Sequence, residues 1–459
     1  MILEKNNILS LLLALFVSIS IGVLSVYGTM DFFIIGISLF ISVLFFVFTV
    51  VKRNKMLSLF SQFLILSLIL IPGISLSGIG FRLDDFIVIF LTLGLIFTFV
   101  YGRKRALNAP PIIKWVFAYL IYSLFISLVR VVFDHLQSIY LLFFIKEIQY
   151  FIYFIAFYYL ARNKEGFSSK VRKTFFIASL ITILWGLFQL VTGNIRGYYG
   201  IGIISVQNPS QSGVVFFIIT IFLMYMSSTA EKRSHSLFLS VGSCISAILT
   251  VATISRTATL VLIVTFLLYL FISLCRKKWN YKKIFIAIYL SSAIIPLGYK
   301  LFATLGTSIF DRFSRIEEGT DTRLNHWGNY LSHSDTIGYI FGNGKGFMQV
   351  IVGSFTLQAD NQYVRLLVEV GVVGLILWII LIGSIILFCF VNFKRNYTDA
   401  LFLLLFTFGF IIFGMTQEAY LVAIQGSLYW ILTGFFIGKM LRQNDLRNNQ
   451  VKTKWDQDV

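Results

Sequence analysis

Apolar runs of about 20 residues, separated by short polar breaks, recur along the whole chain. That length is what an α-helix needs to cross a hydrocarbon core. The runs do not alternate apolar with polar residues, which excludes a transmembrane barrel. The pattern predicts an all-α polytopic membrane protein with about 12–14 transmembrane helices. Fourteen spans are placed at 8–26, 31–51, 57–72, 84–102, 112–133, 138–160, 172–192, 211–229, 235–252, 256–275, 284–303, 363–391, 398–416 and 421–440. The third is short, and a tight turn joins the ninth to the tenth. Residues 8–26 read as an uncleaved first span: the run is long, no small-x-small site follows it, and only Lys5 is basic before it. The longest break gives the domain organisation. Residues 1–303 form an N-terminal bundle of about eleven spans with a loop at 193–211, 304–362 a large loop with short interfacial helices, 363–441 the C-terminal spans, and 442–459 a polar tail.

Composition agrees: 58% of the 459 residues are hydrophobic and 13% charged, against about 25% charged in a soluble globule. A net charge of +18 would point to nucleic acid in a soluble protein. Here the charge is sorted by connection instead. Alternate connections, both termini included, carry 27 of the 38 basic residues and 7 of the 20 acidic ones. Everything else carries 11 basic and 13 acidic residues. The positive-inside bias then makes both termini cytoplasmic and turns the 193–211 and 304–362 loops outward. Cys244, Cys275 and Cys389 fall in or at the ends of apolar runs and give neither a disulfide framework nor metal-ligand spacing. The four histidines are too scattered for a metal site, and no nucleic acid partner is expected.

The topology singles out the few basic residues placed against the bias. Arg256 opens a span as SRTATLVLIV. It reads either as a snorkelling arginine or as an anion clamp at a helix N-terminus, where free N–H groups and the dipole also favour negative charge. Arg196 stands among glycines and tyrosines, either against a lipid headgroup or as a second clamp, since the glycines allow close backbone approach. In the long loop Asp321 or Thr322 can cap a short helix. Leu324, Trp327, Gly328 and Leu331 then share one face, with Arg323 and His326 beside it. That helix is either a plain interfacial element or part of a site. Phe341–Gly346, FGNGKG, carries Lys345 on a glycine turn and lacks both the P-loop and dinucleotide-binding patterns. Asp360 and Asn361 precede a span. They read as an N-cap, or as a general base with a positioning donor. Arg365 and Glu369, four apart, read as a structural ion pair.

TRLNHW, FGNGKG, DNQYVRLLVEVGVVG, the Ser255–Thr257 turn and QNPS at Gln207–Ser210 together resemble the membrane-embedded O-antigen ligase and polymerase family, over roughly Gly193–Gly374. The resemblance implies a GT-C-like glycosyltransferase that uses undecaprenyl-pyrophosphate-linked oligosaccharide without metal, nucleotide or other cofactor. It also implies pyrophosphate binding by Arg196, Arg256 and Arg323. Where ligase members carry a histidine before the Asn-x-Tyr-like motif, this chain has Asp360, which tilts the reading to a Wzy-type polysaccharide polymerase. A flippase and a chain-length regulator are the partners that such a polymerase implies.

The residues support that chemistry on their own terms. A donor outside the cell must arrive activated, since no ATP is available there. A pyrophosphate leaving group needs cations, which arginines supply, and an acceptor hydroxyl needs one base. Lys345, Asn208, Asn361, His326, Trp327 and Tyr363 complete the expected substrate contacts. One base and a cationic clamp fit a single inverting displacement. Two alternatives stand: a ligase moving finished glycan to another acceptor, and a transporter or flippase for which Arg130, Lys146 and Glu147 inside spans would mark a pathway.

Overall fold

The computed structural model describes residues 53–72, 74–76, 79–101, 110–133, 139–192, 201–205, 208–275, 316–347, 360–420 and 423–455. The chain divides into two compact units, Met1–Leu59 and Phe60–Val459, and the second holds almost all of the described residues. The described helices are α1 (Arg53–Leu70), α2 (Leu83–Tyr101), α3 (Pro111–Phe133), α4 (Ile139–Asn163), α5 (Phe167–Thr192), α6 (Pro209–Thr229) and α7 (Arg233–Ala252). They continue with α8 (Arg256–Cys275), α9 (Ile316–Ser332), α10 (Thr336–Phe341), α11 (Gln362–Asn392), α12 (Tyr397–Gly414) and α13 (Ala423–Trp455). Among the described residues the one exception to helix is a small antiparallel ribbon, β1 (Ile74–Leu76) with β2 (Ile79–Phe81), in which Ile74 faces Phe81.

Eleven of the expected spans coincide with helices of this set. Those at 8–26, 31–51 and 284–303 lie outside the described residues. Seven of the described helices are long and apolar enough to cross a membrane: α3, α5, α6, α7, α8, α11 and α12. A helix satisfies its backbone groups within one segment and without water, which is why such non-alternating runs fold this way in lipid.

Burial sorts the helices into centre and rim. Most of α6 and α12 is enclosed, with Phe216, Phe217, Phe222, Leu403, Phe406 and Phe410 at or near zero exposure. By contrast, Phe117, Ile121, Phe125 and Val132 of α3 and Leu260, Ile263, Leu267 and Phe271 of α8 are open. Those stripes recur at helical spacing and suit contact with acyl chains. Lacking a hydrophobic drive, membrane helices associate through small residues and hydrogen bonds. Here α13 lies along α4: a Cβ at Gly434 would press into the Phe154 carbonyl oxygen, and one at Gly438 into the Tyr158 oxygen. The two helices therefore run parallel with backbones touching. Ser243 and Ser246 of α7 donate to the Thr220 and Phe216 carbonyls of α6, both at 3.0 Å.

The two ends of the bundle differ. Connections expected on the cytoplasmic side meet at one end. There Lys439 pairs with Asp399 at 2.7 Å and Arg162 with Asp445 at 3.2 Å, while Arg442 donates to the Lys164 carbonyl at 2.6 Å and Arg447 to the Arg395 carbonyl at 2.7 Å. The opposite end carries the N-termini of α6, α8 and α11.

Candidate functional site

The polar framework of that opposite end starts from glycines. After α10, whose first turn is capped by the Asp335 carboxylate accepting from Gly338 N at 2.7 Å, the chain passes through Gly342, Gly344 and Gly346 at φ 98°, 91° and 76°. L-side chains resist that region. α11 is itself interrupted: Gly371 has φ 68° and ψ −177°. The interruption turns the Val368 and Glu369 carbonyls to new donors, Asn343 N at 3.0 Å and Gly344 N at 2.9 Å. The fit leaves no room for side chains. A Cβ at Gly371 would lie 2.5 Å from the Gly342 nitrogen, and one at Gly342 2.6 Å from the Glu369 oxygen. From α3, Tyr122 donates to the Phe341 carbonyl at 2.9 Å. Arg130 donates to the Gly342 carbonyl at 3.3 Å and to Asn343 Oδ1 at 3.0 Å. The turn is thus plugged into a broken helix.

Lys345, at the tip of the plug, is 2% exposed. Its Nζ lies 2.9 Å from Glu147 Oε1 of α4 and 3.5 Å from Glu369 Oε2, and it donates to the Tyr119 hydroxyl at 3.0 Å. Tyr119 and Ser123 of α3 donate to the two oxygens of Glu147 at 2.6 and 3.1 Å. Glu369 also accepts from Gly346 N and from Arg365 Nε, both at 3.0 Å. Arg365 in turn pairs with Glu418, between α12 and α13. The Arg365–Glu369 pair expected from the spacing therefore forms. The anion-binding role expected of Lys345 meets a physical objection: its charge is already matched, deep in the protein. Nor do Arg130, Lys146 and Glu147 line a free pathway. Arg130 holds the turn, Lys146 pairs with Asp85, and Glu147 pairs with Lys345.

Around this framework stand the residues expected to act. Arg256 is the first residue of α8 and half-buried. It follows Ile254 at φ 57°, a costly conformation for a β-branched residue. The turn abuts α6: a Cβ at Gly213 would meet Ala258 Cβ at 2.7 Å and Ser255 Cβ at 3.1 Å. Asn208 caps α6, accepting from Ser210 N at 2.9 Å. Asn361 caps α11, its Oδ1 accepting from Tyr363 N at 2.9 Å and Val364 N at 3.2 Å. Its amide nitrogen is not used in that cap. Asp360, just before it, is half-buried with φ 47°. The Tyr363 hydroxyl donates to the Ile411 carbonyl at 3.0 Å, and a Cβ on Gly414 would lie 3.2 Å from its ring. α12 closes the circuit to α6 and α8, since a Cβ at Gly409 would meet Phe217 at 2.5 Å and Val261 at 3.3 Å.

α9 begins at Ile316, not at the expected Asp321–Thr322 cap, so those two residues lie inside the helix. His326 and Trp327 are half-buried, Leu324 is open, and Tyr330 is buried. Burial, then Glu418, raises the Tyr330 pKa, with Glu369 and Asp360 adding to the rise and Arg365 opposing it. α9 itself packs against α11. Arg196, Arg312 and Arg315 lie outside the described residues, as does the side chain of Arg323, whose backbone is part of α9.

Sequence reasoning did not join Glu147, Glu418, Asn343 and Gly371 to the framework. Glu147 stood out only as a charge within an apolar run, and nothing local ties it to a lysine in a distant loop.

Residues 241–379 match the family model Wzy_C, described as O-Antigen ligase. The matched segment holds Arg256, α9, the plugged turn and α11 as far as Ile379. No curated protein matches the chain.

Proposed function

From a chain whose residues 241–379 form an O-antigen ligase-family (Wzy_C) domain, the domain of membrane enzymes of polysaccharide ligation or polymerisation, we propose a polysaccharide polymerase. It moves the growing glycan from undecaprenyl pyrophosphate onto the next lipid-linked repeat unit, at the outer face of the plasma membrane. One observation carries the reading: a single end of the bundle joins Arg256 at the α8 N-terminus to the Asp360–Asn361 end of α11 through α6 and α12.

In this mechanism Asp360 accepts the proton of the acceptor hydroxyl. The hydroxyl oxygen bonds to the anomeric carbon of the donor sugar as the bond to the pyrophosphate oxygen breaks, inverting that carbon. Arg256, Arg323 and Arg196 take up the charge on the departing lipid pyrophosphate. Asn361 offers its amide donor to the acceptor, while Asn208, His326, Trp327 and Tyr363 border the sugars. Lys345 has no direct contact with substrate in this scheme.

The test is purified protein with a synthetic lipid-pyrophosphate oligosaccharide alone. A polymerase makes a ladder; a ligase needs a second acceptor; a flippase only relocates the lipid. Losing one preorganised donor costs about 10²–10³ in rate, so Arg256→Ala and Arg323→Ala should lose the ladder while still inserting. Full activity of Asp360→Asn would remove that residue as base.

A further inference from the structure

We propose that Lys345 is a positioning residue for transfer: with Glu147 and Glu369 it fixes the 342–346 turn in the break of α11 and so sets where Asp360 stands. The inference rests on the polymerase reading for its activity arm only.

The break at Gly371 makes the stretch Gln362–Val370 a short half-helix. A helix of that length does not hold itself in place, so its direction comes from its contacts. At its lower end these are the Asn343 and Gly344 N–H groups on the Val368 and Glu369 carbonyls, and Lys345 beneath them. Lys345 ties this end to α4 through Glu147 and to α3 through Tyr119, and its own N–H donates to Ser127 Oγ at 3.1 Å. Arg365 ties the same half-helix sideways to Glu418. Asp360 stands nine residues above Glu369, about 13 Å along the axis at 1.5 Å per residue. A tilt of about 5° at the break would therefore move Asp360 by about 1 Å. A displacement of that size costs on the order of 10²-fold in rate. Lys345 is thus a lever's fulcrum and never touches substrate.

The test removes the lysine with its charge partner. Glu147→Gln with Lys345→Met leaves the net charge of the Glu147–Lys345–Glu369–Arg365–Glu418 cluster unchanged, and the amide oxygen so introduced can still accept from Tyr119. Ser127→Ala is the milder second variant should the double one not insert. Lys345→Arg is the conservative control. Spin labels at Asn329→Cys on α9 and Ile379→Cys on the lower half of α11, both exposed positions, go on a background lacking the three native cysteines.

The parent and Lys345→Arg should give one narrow distance distribution. The double variant should broaden it and lose about 100-fold in kcat, with KM for the lipid-linked donor within about twofold. An unchanged distribution, or a broadened one with parental kcat, overturns the proposal, and so does a loss confined to KM. If the parent makes no glycan, the polymerase reading fails by itself. The distance arm then still judges whether Lys345 holds the 342–346 turn, with α9 ahead of it in the chain, against the lower half of α11.

Discussion

The interrupted helix α11 gives the sharpest stability prediction. Gly371→Ala introduces a Cβ 2.5 Å from the Gly342 nitrogen and the Ile340 oxygen, and 2.6 Å from the Phe341 carbonyl carbon. All three are backbone atoms, so no side chain can swing away. The φ of 68° with ψ −177° is a region essentially reserved for glycine and costs any other residue about 1–3 kcal/mol. Relief requires the turn to withdraw. That sacrifices the hydrogen bonds from Asn343 and Gly344 to the Val368 and Glu369 carbonyls, about 1 kcal/mol each, and loosens the Lys345 ion pairs. The expected loss is about 3–5 kcal/mol. Gly383 supplies the control on the same helix, since a Cβ there would meet nothing within 4 Å. Gly383→Ala should be neutral or stabilising by up to about 1 kcal/mol. The assay is unfolding of the detergent-purified proteins, followed by intrinsic fluorescence. Equal midpoints for Gly371→Ala and Gly383→Ala would refute the plugged-break account.

Single contacts give the other expectations. Gly434→Val should weaken the seating of α13 on α4, because its Cβ would press into the Phe154 carbonyl; proteolysis of the C-terminal helix reports it. Asn361→Asp keeps the capping oxygen but removes the amide donor, so the unfolding midpoint should hold while transfer falls; Asn361→Ala should lose about 1 kcal/mol as well. Asp335→Ala removes the α10 cap and should cost about 1 kcal/mol, read in the same unfolding assay.

Helix placement was legible because the apolar runs are long and the breaks short, as at Pro209–Thr229 and Tyr397–Gly414. The tight Ser255–Thr257 turn and the Arg365–Glu369 pair were legible too, being matters of spacing along one segment. The plug was not. FGNGKG shows glycines and a lysine, but not that its N–H groups complete a helix elsewhere in the chain. Lys345 meets Tyr119 across 226 residues, and no periodicity encodes such a meeting. The start of α9 was missed because a carboxylate six residues into a helix looks, in sequence, like a cap.

Glu147 also bears on how the protein is made. It enters the bilayer on α4 well before the ribosome reaches Lys345, so during synthesis its carboxyl has no lysine beside it. Tyr119 and Ser123, on the preceding helix, are already present to receive it. The α3–α4 hairpin can therefore hold that acid as a hydrogen-bonded guest until the late-arriving cation is threaded in from the far side of the chain.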